Sequence, residues 1–124
     1  MWDRDECELL ALAIGNADCV IVAAGPTYDP KHRASNTVLA RATDRQSVLD
    51  MQHALETGPG PRMDWMTPGD VTIAFLLHRV LLAAVKLLAP DYIRCEELWV
   101  GDAPLAEPAT LQAWFRGHGL DLTD

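Results

Sequence analysis

The chain has 124 residues, 49% of them hydrophobic and 23% charged, which is enough length and apolar content to bury one core and excludes wholesale disorder. Eighteen acids against ten lysines and arginines give a formal charge of −8, which repels phosphate backbones and anionic lipid and argues against nucleic acid or a membrane surface as partner. Three cysteines, Cys7, Cys19 and Cys95, are odd in number and lack CxxC spacing, so neither a disulfide framework nor a zinc knuckle is expected.

The opening MWDRDECELL has acids where a secretory signal needs a basic segment and an apolar core, and a cytoplasmic location is the expectation. Asp5, Glu6 and Glu8 load the first turn of a helix whose apolar face is Leu9, Leu10, Leu12, Ala13 and Ile14, with Gly15 as its stop. Residues 19–24, CVIVAA, read as a buried strand ended by Gly25-Pro26. Residues 27–36 are a polar loop, and 37–42, TVLARA, a second strand. Thr43 with Gln46 suggests a capping box for a helix over 44–57 that presents Val48, Leu49, Met51 and Leu55 and stops at Gly58. The 58–62 segment, GPGPR, cannot continue a regular element.

Residues 71–89, VTIAFLLHRVLLAAVKLLA, are the longest apolar stretch, and local pattern favours a helix capped by Asp70 and ended by Pro90. A membrane span is disfavoured, because His78, Arg79 and Lys86 lie inside the run. Residues 92–100 alternate as a strand irregular near its end, leading into Gly101-Asp102. Glu107-Pro108 opens a last helix over 108–116 with Leu111, Trp114 and Phe115 on one face, and Gly117 or Gly119 ends it.

The C-terminal half resembles a group of small bacterial α+β proteins, common in actinobacteria, that carry a Gly-Asp-led hairpin, an Ile/Leu-Arg-Trp strand end, a Trp-x-x-Asp-x-x-Leu turn and a closing Trp helix followed by Gly. Matching positions are Gly69, Asp70, Leu82, Val85, Leu87, Ile93, Arg94, Trp99, Asp102, Leu105, Trp114 and Gly119, covering 66–120 well and 18–57 loosely. Cys95 stands where the group has tryptophan, and His78-Arg79 replaces its charged or glycine-bearing turn. The resemblance implies a strand hairpin over 71–89, against the local helix preference, and supplies no activity.

The expected architecture is therefore one α+β domain over 1–124 with four or five mainly antiparallel strands in the order α-β-β-α-β-β-(β)-α. The 44–57 and 108–116 helices should lie on one face, and the N-terminal helix at an edge.

Arg94 and Asp102 form a candidate strut, and Trp99 and Trp114 are candidate anchors of the last helix. Asp64, Trp65 and Met66 follow the linker as a candidate partner patch, with Glu96 and Glu97 as accompanying acids. His32, His53, His78 and His118 share no ligand spacing, and no phosphate-binding loop is present, so no metal or cofactor is expected.

The leading functional expectation is a non-enzymatic, acidic protein-binding module that occupies a basic partner, as an immunity protein or inhibitor does. Its rivals are a small enzyme using Cys95, His78 and Asp102, and a homo-oligomeric subunit, such as a homodimer, joined through the Trp65 patch.

Overall fold

The computed structural model describes residues 6–25, 28, 37–58, 71–88, 91–99 and 101–120. Their elements run α1 (Glu6–Ile14), β1 (Cys19–Ala24), β2 (Thr37–Ala42), α2 (Arg45–Ala54), β3 (Val71–Leu77), β4 (Val80–Leu88), β5 (Tyr92–Arg94), β6 (Ala103–Pro104) and α3 (Pro108–Gly117). The fold is α+β, with one six-stranded sheet in the order β2-β1-β3-β4-β5-β6, antiparallel at every pairing. The sixth strand exceeds the expected four or five. It has two residues, one of them proline, so it carries no alternation that a sequence pattern would register.

The 71–89 run is a hairpin, which overturns the local helix preference. Val71 to Leu76 are all buried, so β3 is covered on both faces and its sequence is continuously apolar where a half-exposed strand would alternate. Val20, Val22, Ile73, Phe75, Ala83, Val85, Leu87 and Ile93 point to one face, where they meet Leu10 and Ile14 of α1, Val48, Met51 and Ala54 of α2, and Leu111, Trp114 and Phe115 of α3. All three helices thus cover the same face. The N-terminal helix is not at an edge, because α1 packs against the interior strand β4.

A bulge in β4 sets the opposite face. Ala83 pairs with Phe75 and Leu81 with Leu76, so Leu82 is the extra residue, and Leu81 joins Cys19, Ile21, Ala74 and Leu76 on the side away from the helices.

Three boundaries differ from expectation. The α2 cap is Asp44, whose carboxylate accepts from the Ser47 N–H at 2.9 Å; Gln46 donates instead to Asp50 at 2.8 Å, so no Thr43–Gln46 box forms. That helix ends at Ala54 with Leu55 as its cap, and Gly58 serves another purpose. It lies against Ala106, whose Cα a side-chain carbon at position 58 would meet at 3.0 Å, while its N–H bonds to the Pro104 carbonyl. The 92–100 strand stops at Arg94 because the Cys95 carbonyl accepts from the N–H groups of both Leu98 and Trp99, which turns the chain.

Candidate functional site

A cleft of about 690 Å³ opens on the helix-free side of the sheet, and among the described residues it is lined by Asp18, Cys19, Ile21, Tyr28, Val38, Arg41, Thr43, Leu76, His78 and Arg79. Its size lies in the usual range for small-molecule sites. Alternation in register builds it: Cys19 pairs with Leu76 and Ile21 with both Arg41 and Ala74, so these side chains share a face across β2, β1 and β3. Ile21 and Leu76 give an apolar floor, and Tyr28 packs against the cluster they belong to.

One wall is the β3–β4 turn, formed by His78 and Arg79 with φ of 50° and 70°. A two-residue hairpin turn of this kind favours Asn-Gly, since each side-chain-bearing residue in the left-handed region costs roughly 1–2 kcal/mol. Asp18 offsets part of that strain. Its own N–H bonds to the Leu76 carbonyl at 2.9 Å, and its carboxylate accepts from the His78 N–H at 3.1 Å and lies 3.6 Å from His78 Nδ1. A carboxylate is thus committed to the turn, while the guanidinium groups of Arg41 and Arg79 have no hydrogen-bond or ion-pair partner among the described residues. Among the described lining residues, two guanidinium groups thus stand against one carboxylate that is already engaged with the turn. Replacing His78→Asn together with Arg79→Gly is expected to raise stability by about 1–2 kcal/mol in urea unfolding; an unchanged midpoint would mean that the turn stores no strain.

Of the residues singled out in the sequence, His78 lines the cleft and the other described ones fall elsewhere. Arg94 Nε donates to Asp102 Oδ1 at 2.7 Å and its Nη2 to Oδ2 at 3.2 Å, with Asp102 fully buried. Trp114 Nε1 donates to the Ser47 carbonyl at 2.9 Å, and its ring stacks on His118 at 3.7 Å. His118 in turn reaches the Trp114 carbonyl and Ser47 Oγ, so a histidine with no sequence signal ties α3 to the start of α2. Trp99 is half-buried against the core, and its Nε1 has no partner among the described residues.

Glu96 is bound by Lys86 at 2.6 Å, an interaction that holds its carboxyl below the usual range, and Glu97 accepts from Cys95 Sγ at 3.3 Å. These two candidate partner acids are engaged locally. Asp64, Trp65 and Met66 lie outside the described residues.

Cys95, His78 and Asp102 do not converge. Lys86 pairs with Arg94, six residues along β4 from the turn, so the Cys95 end of the sheet is about 20 Å from His78. Burial, with the neighbouring Glu97 charge second, pushes the Cys95 thiol up to about 12 from an ordinary 9.0. Two consequences follow in solution. At pH 9 roughly one native molecule in a thousand carries the Cys95 thiolate, so alkylation of Cys95 should follow unfolding; rapid native labelling there would refute the burial argument. Because the folded value is raised, this thiol's contribution to stability is intact below about 9 and is lost as pH rises towards about 12.

Among the described residues no group of three or more His, Cys, Asp or Glu is placed to hold a metal ion, and no helix is long and apolar enough to cross a membrane. No family model, curated protein or solved structure matches the chain.

Proposed function

We propose that this protein is a non-catalytic, cytoplasmic binding module whose ligand sits in the cleft on the helix-free sheet face. The observation that carries the reading is the turn. Where an Asn-Gly pair would close the hairpin without strain, the chain keeps His78 and Arg79 in left-handed backbone conformations, and both residues line the cleft. Strain concentrated at a concave site of ligand size is more readily accounted for by recognition than by folding. Cytoplasmic placement draws support from Cys19 and Cys95, which are unpaired thiols.

The test uses the full chain and a small-molecule fraction of a cell extract. That fraction should raise the melting temperature of the wild type and leave the His78→Asn/Arg79→Gly variant, itself more stable at the outset, unmoved. Equal shifts in both, or a shift in neither, would remove the cleft from consideration.

A second reading, an acidic surface occupying a basic protein, draws on a different region. Glu8, Asp44, Asp50, Glu56 and Glu107 are exposed on or beside the three helices, against Arg45, His53 and Arg116 there. Capture of a basic protein through this layer should weaken steeply with salt and be indifferent to the turn variant. Binding that ignores salt would remove this second reading.

A further inference from the structure

Resting on the cleft reading above, we infer that the ligand is an organic anion: a carboxylate or phosphate group carried on a flat apolar body. The charge requirement comes from Arg41 and Arg79. They approach the cleft from β2 and from the β3–β4 turn, and neither is neutralised by a neighbour among the described residues. Guanidinium groups match the planar, forked geometry of carboxylate and phosphate oxygens, which a point-charge lysine does not. Thr43 adds a hydroxyl donor on the same wall.

Asp18 sharpens the selection. A carboxylate in the lining would ordinarily repel an anion, but this one accepts from the His78 backbone N–H and lies beside its ring, so its charge is directed into the turn. The apolar requirement comes from the floor and one side: Ile21 and Leu76 are buried, Tyr28 packs on their cluster, and Val38 is 49% exposed at the rim. A bare inorganic anion would leave that surface wet, and a neutral aromatic would leave both arginines without a counter-charge. A flat body lying on the Ile21–Leu76 floor beside Tyr28, with its acid group towards Arg41 and Arg79, uses both halves of the site.

The experiment is a titration followed by amide NMR shifts on the intact protein, using phenyl phosphate, benzoate, inorganic phosphate and benzyl alcohol as probes. Phenyl phosphate or benzoate should give saturable shifts confined to the neighbourhood of Cys19, Arg41, Thr43, Leu76 and Arg79, and the tighter of the two distinguishes phosphate from carboxylate. Inorganic phosphate and benzyl alcohol should each bind at least about tenfold more weakly, and Arg41→Gln should weaken the organic anion by about tenfold or more.

Because Arg41 is exposed on an edge strand, that variant is expected to fold, and its unperturbed spectrum outside the cleft checks this. Equal binding of benzyl alcohol, or an Arg41→Gln variant that binds as well as the wild type, would overturn the inference. Absence of saturable shifts with any anion would also overturn it. If the cell-extract fraction still protects the wild type alone, the cleft stands and only the ligand class falls.

Discussion

Asp102→Ala is expected to destabilise the protein by about 3–5 kcal/mol, close to the whole stability of many small domains. Asp102 is fully buried, and the Arg94 side chain that meets it through two hydrogen bonds is 15% exposed. Removing the carboxylate takes from a largely buried guanidinium the counter-ion that its Nε and Nη2 share. The cost lies mainly in a buried charge that has lost this counter-ion rather than in the lost attraction. A paired change, Arg94→Met with Asp102→Leu, should therefore recover most of the loss, since replacing both ions with apolar groups avoids the desolvation penalty. Urea unfolding of the wild type and these two variants checks this. A single-site loss below about 1 kcal/mol, or a double variant no better than Asp102→Ala, would show that the pair is solvated.

Trp114→Ala should cost a similar amount, about 3–5 kcal/mol, through a different mechanism. The ring is 6% exposed, meets Phe115 edge-on at 6.1 Å between centroids and stacks on His118, while its indole N–H reaches the Ser47 carbonyl. Truncation opens a cavity at the α2–α3 contact and removes the ring on which His118 stacks. Trp114→Phe keeps most of the volume and loses one hydrogen bond, so it should fall between the two, nearer to wild type. If the two substitutions cost the same, the indole N–H rather than the packing is what holds α3.

The fold was legible where side-chain pattern and burial agree. The β2 span follows from β-propensity, and the Leu111, Trp114, Phe115 face of α3 from helical spacing, because that helix turns one face to the core. The β3–β4 run was ambiguous for a physical reason: burial on both faces removes the alternation that separates strand from helix, and only resemblance to other sequences tipped the balance. Asp44 displaced Thr43 as the α2 cap by one residue, a distinction that depends on backbone angles.

The cleft was not legible. Its residues come from β1, β2, β3, the β3–β4 turn and Tyr28, brought together by register, and register is a tertiary property. One clue was present in the sequence. The absence of glycine from the turn marked His78-Arg79 as anomalous, and both residues line the candidate cleft.

The strand order has a kinetic consequence. β1–β2 and β3–β4–β5 are each joined by neighbours in the chain, whereas β1 meets β3 only after the intervening segment with β2 and α2 has been looped out, a separation of 47 residues at the Thr72–Gly25 bond. Closing a loop of that length costs entropy before any apolar contact across the seam compensates. Two local ribbons should therefore form early and merge late, with the Val22–Ile73 contact as the rate-setting suture of the sheet.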